Sequence, residues 1–592
     1  MNIMKHTVRT LVLSSWVTLG AVACGGDAGP ESPVDPSVPS PSNPITPGPG
    51  PGPADGPVDN PGPTPAGTTP SVSPTTPVGP GEPTTPTTKP PVLTDCSAPA
   101  VGSPVVRALT RLEFQNSVND IFPGIEGKWS NTLPSNSVSA AGFDNDASAV
   151  LGEQTAEELL TTAESIGDAV ASTVSSLLPC ASAADRACAA QFVGTFGKRL
   201  FRRDLTDTES TRYLELFDKA IAQVDFAKSI KWVTAALVQS PSAVYRSELG
   251  TVADGTRRLS QHEIATLLAY TFTGSTPSAE LLAQADAGQL NDPVATAKAL
   301  LMTPKGKQTL HRFFEAYTGY IRAGSKNKPE VRNDNVTYTE VSGEMVQEMR
   351  TFLEKQLFEE GATFQELLTS TTTYPSQRLA RFYGNGFAIP GADFTPVERP
   401  TSQGIGLMAQ GSFLAAHSNA DASSPTQRGL FAYVNLLCRA KPPLPNDVPD
   451  LAVVEPGTRT TRQRYEEVHA AGNCAGCHKL FDPLGFAFEH FDEGGRFRAD
   501  EDGLPINPTG SFVSRSGEEL NFENQEDLAA NLAALPEVHA CLAAYLSTFA
   551  FGTSESCLAA TAVPAMQAGS VSVVDAFASL AAEPHFSARK AQ

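Results

Sequence analysis

Leu159-Leu160-Thr161-Thr162-Ala163-Glu164-Ser165-Ile166-Gly167-Asp168-Ala169-Val170-Ala171-Ser172-Thr173-Val174-Ser175-Ser176-Leu177 decides the fold class. Leu159, Ala163, Ile166, Val170, Val174 and Leu177 recur at steps of three and four, one apolar face of a helix. Pro179 and Cys180 stop it. The same logic extends along the chain. Thr206-Asp207-Thr208-Glu209 reads as a capping box opening a helix through Leu214, Phe217 and Ile221. Asp225 caps a helix through Ile230, Trp232 and Leu237 that ends at Pro241. Ser260-Gln261-His262-Glu263 is a second capping box, ahead of Ile264, Leu267, Leu268 and Phe272. Val341, Met345, Met349 and Phe352 share one side of another helix. Strand signals are few and lie mostly beyond residue 495. There Phe497-Arg498, a turn at Asp500 to Gly503, and Leu504-Pro505-Ile506 read as one hairpin. The expectation is a mainly α, multi-domain body with a small β-hairpin toward its C-terminal part.

The body begins near Cys96, and what precedes it is of another kind. Lys5, His6 and Arg9 lead into an apolar run from Leu11 to Leu19, short for a bilayer span but suited to a secretory signal. It closes on Gly20-Ala21-Val22-Ala23-Cys24, which resembles the lipobox of bacterial lipoproteins, with cleavage before Cys24 and lipid on its thiol. Gly25 rather than Asp follows Cys24, which points to the outer membrane. From Pro30 to Pro91 lie 22 of the 48 prolines, interleaved with Thr, Ser and Gly and without aromatics. Such a stretch buries too little apolar surface to offset its ordering entropy. It reads as a disordered tether over 24–95, able to reach on the order of 200 Å if polyproline-like.

The 592 residues carry 64 acidic and 43 basic side chains, a formal charge of −21. That balance argues against nucleic acid, whose phosphates call for clustered Lys and Arg. The chemical centre is Cys474-Ala475-Gly476-Cys477-His478. Two thiols three apart with an adjacent His match covalent attachment of haem c, in which each Cys takes a vinyl group and His478 ligates iron. Disulfide exchange would not need the His. A zinc site lacks a second Cys pair at the right spacing. A structural disulfide is the plain alternative. Setting aside Cys24, Cys474 and Cys477 leaves Cys96, Cys180, Cys188, Cys438, Cys541 and Cys557, an even set that suggests disulfides. Short loops favour Cys180 with Cys188 and Cys541 with Cys557, leaving Cys96 with Cys438.

An electron-transfer haem usually has a second axial ligand. Met408 and His417, on a helix-like run from Gly406, are the leading candidates, with Met566, His469 and His490 behind them. Arg496 and Arg498 are candidate propionate partners, and Phe486, Phe488 and Phe491 candidate walls. His417-Ser418-Asn419-Ala420-Asp421 is too tightly spaced for a serine-hydrolase triad.

Phe481-Asp482-Pro483-Leu484-Gly485-Phe486-Ala487-Phe488-Glu489, then Phe491-Asp492 and Gly495-Arg496, resembles the haem-motif domain of the planctomycete cytochrome C proteins, exported chains assembled from several domains of unknown function. Leu109 to Phe114 with Val118-Asn119-Asp120 is similar to their opening domain. Phe201-Arg202-Arg203 with Leu205-Thr206 and Glu209 resembles the next. Ser240-Pro241 with Tyr245-Arg246, then Arg258 through Leu290, resembles the central one. Ser424-Pro425, Arg428-Gly429, the Pro442 to Pro449 connector and Phe549 to Gly552 continue the resemblance. Together these readings divide the chain into a signal peptide (1–23), the tether (24–95), helical units at 96–183, 184–250 and 251–395, a haem-motif unit at 396–500 and a C-terminal helical unit at 501–592. The expected function is a cell-envelope-anchored, c-type cytochrome-like haem protein that exchanges electrons with a redox partner or small molecule. The competing expectation is a tethered polysaccharide-binding or surface-interaction protein with a structural Cys-X-X-Cys, for which the sparse tryptophans Trp129 and Trp232 are a poor stacking supply.

Overall fold

The computed structural model describes residue 91 and residues 100–591, apart from 140, 147–151, 401, 443–457, 470–473, 554, 556, 561 and 568. The signal peptide, the tether apart from residue 91, Cys24 and Cys96 lie outside the described residues.

The body is mainly helical, with short strand pairs inserted between helices. The longest helix, Glu153–Leu177, buries Leu159, Ala163, Ile166, Val170 and Val174, as the apolar period requires. It crosses Phe226–Val238 at Gly167, where a Cβ would stand 2.6 Å from the Lys231 carbonyl oxygen. The capping boxes at Thr206 and Ser260 both close, each hydroxyl accepting from the backbone N–H of the Glu three residues on. Asp225 caps Phe226–Val238 through the Lys228 N–H at 2.9 Å. Further boxes open Arg111–Ile121 at Thr110 and Phe364–Thr369 at Thr363. The helix Asp207–Ile221 is turned slightly from its expected face. It buries Tyr213, Leu216, Phe217 and Ala220 and leaves Ile221 exposed, because the aromatic Tyr213 brings more apolar area than Ile221.

Two large apolar cores result. The first joins Phe114, Phe122, Phe192, Phe217 and Trp232 from the N-terminal helices. The second gathers Phe313, Tyr317, Met349, Phe431, Phe488 and Phe549, from segments spread over the rest of the chain.

Strands are more widely distributed than expected. Val105–Ala108 pairs antiparallel with Tyr245–Glu248. Thr251–Ala253, Thr256–Arg258 and the C-terminal Ala588–Lys590 make a three-stranded sheet. These strands hold only three or four residues each, too few to show an alternating pattern. The expected hairpin is present in shorter form, Asp500–Glu501 with Leu504–Pro505. Phe497 instead bridges Phe491, and a second hairpin follows at Gly510–Val513 and Glu519–Phe522.

Around the first two of these strand groups lies a buried ionic cluster. Arg107, Glu113, Arg246, Glu248 and Arg589 are all nearly inaccessible, with Arg589 paired to Glu248 and Arg107 3.6 Å from Glu248. Burial alone would raise the Glu248 carboxyl, but Arg107, Arg589 and Arg246 together hold it down at about 2.

Two disulfides join described cysteines. Cys180–Cys188 closes the turn after the long helix, as its short loop suggests. Cys438 pairs with Cys541, 103 residues away, which replaces the expected pairs Cys541–Cys557 and Cys96–Cys438. The reason is helix geometry. Cys541 sits within Pro536–Phe551 and faces the large core, where Cys438 ends the turn after Ala432–Leu436. Cys557 is also disulfide-bonded.

Candidate haem-attachment site

The helix Ala475–Phe486 carries the motif. Its first turn closes from the Cys474 carbonyl, which accepts from the backbone N–H groups of Cys477 and His478 at 3.1 and 3.0 Å. Cys474 and Cys477 are free and half-buried, the only free thiols among the described residues. Pro483 removes the bond that its nitrogen would otherwise donate one turn back, and the helix continues through it to Phe486.

Close backbone packing holds this helix in place. It crosses Pro425–Phe431 with a glycine on each side. A Cβ at Gly429 would stand 1.9 Å from the Phe481 carbonyl oxygen, and one at Gly485 would stand 1.8 Å from that of Pro425. From the same crossing, Arg428 is fully buried and donates to the carbonyls of Phe488, Phe491, Asp492 and Leu414. It thereby fixes the chain that leaves the motif helix. The neighbouring helix Thr461–His469 is anchored by Thr461, whose N–H and hydroxyl both donate to Glu501. The Arg462 guanidinium of that helix lies 4.5 Å over the Phe486 ring.

These two helices bring three side chains to one point. Asp482 is 4% exposed. Its Oδ1 accepts from the Thr426 hydroxyl at 2.7 Å, and its Oδ2 faces His469 Nδ1 at 2.6 Å and His478 Nδ1 at 3.0 Å. Burial alone would raise this carboxyl, yet the bonds from His469, His478 and Thr426 hold it below the usual carboxylate range. An ionised carboxylate only accepts, so both imidazoles donate from Nδ1. In its neutral form each then keeps a lone pair on Nε2. The two rings are stacked, centroids 3.5 Å apart and planes at 27°, and Phe481 packs beside His478 at 5.1 Å. His469, His478 and Asp482 form the metal-capable cluster among the described residues, with ligand atoms within 4.8 Å of one another.

Other candidate residues go elsewhere. His417 is buried, with Nε2 facing Arg322 at 3.0 Å and Nδ1 facing the Phe413 carbonyl at 3.2 Å. Arg322 can only donate, so His417 has committed its one lone pair. Burial, reinforced by Arg322, keeps this imidazole neutral well below its ordinary range. The run from Gly406 is not one helix. A short turn at Leu407–Ala409 precedes Gly411–Ala416, and Met408 is fully buried in the large core. Met566 lies in that core too. His490 donates from Nδ1 to the Arg498 carbonyl and stacks on Phe497. Arg496 pairs with Asp492, and Arg498 with Glu489 and Glu501, so protein carboxylates already hold both guanidinium groups. Phe488 and Phe491 belong to the large core, and Phe486 lies under Arg462.

The role of Asp482 was not apparent from the motif. Its signal was the i,i+4 spacing from His478, which places both on one helical face. The sharing of that carboxylate with His469 depends on a second helix and had no local signal.

Both tryptophans of the body are structural. Trp129 donates to Asn119 and meets Phe114 edge-on, and Trp232 is buried in the first core.

Four family models match in chain order, each described as a protein of unknown function: DUF1587 over residues 107–172, DUF1595 over 188–248, DUF1592 over 259–384 and DUF1588 over 405–501. The last spans the free thiols, His478 and Asp482. No curated protein and no solved structure matches the chain. With these four domains in tandem, the chain belongs to the planctomycete cytochrome C type of multi-domain proteins, whose domains have no established function.

Proposed function

We propose that this chain is an exported, c-type cytochrome-like protein that carries haem on Cys474 and Cys477, with His478 as a ligand of its iron. One observation supports this most directly. Two free thiols open a helix whose next residue, His478, has Nδ1 held by a buried carboxylate and can therefore present its Nε2 lone pair to a metal. The donor set fits the group: two thiols for covalent attachment and one oriented imidazole. The other described cysteines are disulfide-bonded, so these two thiols are set apart from the structural ones. When bound, haem supplies a one-electron couple that the protein's ligands and surroundings tune. The chain's own part is to fix His478, through Asp482 and the Gly429–Gly485 crossing, and to bury the helix behind it.

The remaining sequence readings complete the proposal. Lipid on Cys24 would anchor the protein to the cell envelope, on the outer membrane, and the Pro/Thr-rich segment would let the body reach a redox partner or small-molecule electron carrier.

The test is full-length protein made in a host that matures c-type cytochromes. Haem staining should survive denaturation and vanish in Cys474→Ala with Cys477→Ala. Fractionation of the same cells should find the protein in membranes and Cys24→Ala outside them or unprocessed. A folded, matured protein without bound haem would reject the redox reading. Membrane retention of processed Cys24→Ala would reject the lipid anchor.

A further inference from the structure

Asp482 offers one oxygen, Oδ2, to two imidazoles. His469 takes the shorter bond, 2.6 Å against 3.0 Å for His478. The other oxygen is occupied by Thr426, and the carboxylate is almost sealed from water. His469 lies alongside His478, 3.5 Å away and nearly parallel.

We propose that Asp482 is a positioning residue that sets the electron-donating strength of His478, and that His469 opposes it by drawing on the same carboxylate oxygen. This rests on the haem reading above. A carboxylate accepting the Nδ1 proton gives an imidazole anionic character and strengthens it as a ligand. A stronger donor favours the ferric over the ferrous state, so the midpoint potential falls. A second donor on that oxygen weakens its pull on His478. Asp482 and His469 therefore act with opposite sign, which a merely structural pair would not do.

The test has two parts, both on the full chain. In haem-free protein with nitrogen-15-labelled histidine, His469 and His478 should both appear as Nδ1–H tautomers when neutral. An Nε2–H tautomer at His478 would overturn the proposal. In haem-loaded protein, potentiometric titration against one-electron mediators compares wild type with Asp482→Asn and His469→Phe. Asp482→Asn keeps the shape and removes the charge, and His469→Phe keeps the stacked ring and removes the donor. The midpoint should rise in the first and fall in the second. Unchanged potentials, or shifts of the same sign, would overturn the proposal even though haem is bound. A wild-type protein that takes up no haem would instead overturn the haem reading, and the tuning role with it.

Discussion

Arg428 shows how much a single residue can hold. Its guanidinium is fully buried and bonded to four main-chain carbonyls, from Leu414 on one side and Phe488, Phe491 and Asp492 on the other. Burial lowers it from its ordinary value to about 10, so it remains charged at neutral pH. Glu489 and Asp492 lie close enough to offset part of that charge. Arg428→Met would keep most of the stem but strand the carbonyls and leave the nearby acids without their cation. Removing one partner from such a buried network costs about 3–5 kcal/mol. Urea denaturation at pH 7 should show that loss, and a change under about 1 kcal/mol would mean the carbonyls find water instead. At this scale the sequence was legible where chemistry is local. Cys474, Cys477 and His478 announce themselves by spacing, and Cys180 finds Cys188 through a short loop. Asp482 shows locally only its spacing from His478, because its other partners, Thr426 and His469, come from other elements.

Among the elements, the crossing of Pro425–Phe431 with Ala475–Phe486 matters most to the candidate site. Both helices approach backbone to backbone, at Gly429 and Gly485, where any Cβ would overlap a carbonyl oxygen. Neither glycine is needed for a left-handed turn, so the constraint is space alone. Gly485→Ala should force the helices apart and cost about 1–3 kcal/mol by overpacking. The motif helix would shift with it, so haem retention after maturation should fall as well. Measuring the thermal midpoint and haem content together would separate a displaced helix from a merely weaker core. Elements with a strong period or a capping box were legible: Glu153–Leu177, Asp207–Ile221, Phe226–Val238 and Gln261–Thr273 all form where Leu159, Thr206, Asp225 and Ser260 place them. The short strands were not. Val105–Ala108 exists because Tyr245–Glu248 pairs with it across the chain, and four residues carry no period of their own. Cys541 was misassigned for a related reason, since its inward direction on Pro536–Phe551 outweighs its nearness to Cys557.

Over the whole molecule, the two ends of the body meet at the buried ionic cluster, and this makes the fold sensitive to acid. Ala588–Lys590 pairs with Thr256–Arg258, and the Lys590 N–H donates to the Gly102 carbonyl. The Gly102 N–H in turn donates to His585 Nδ1 at 3.0 Å, which requires that nitrogen to be unprotonated. Burial, reinforced by Arg589 and opposed by Glu248, lowers His585 to about 3, with Arg107 and Lys590 acting in the same direction as Arg589. An unfolded His585 takes its proton near pH 6.5, and the folded one refuses it until about pH 3. Stability is therefore full above pH 6.5 and falls by about 1.4 kcal/mol per pH unit for this residue as pH drops toward 3. His417, lowered well below its ordinary range by burial and Arg322, adds a loss of the same sign. Glu248 adds a later one, between its ordinary 4.5 and about 2, where its three arginines lose their counter-charge. Denaturation at pH 7, 5 and 4 should give steadily smaller unfolding free energies. His585→Asn can still accept from Gly102 and has no proton to gain. It should be less stable than wild type at pH 7, for want of the ring against Phe551, and should close that gap as pH falls. A gap that stays constant from pH 7 to 4 would show that His585 is not held neutral, and that the acid sensitivity lies elsewhere in the molecule.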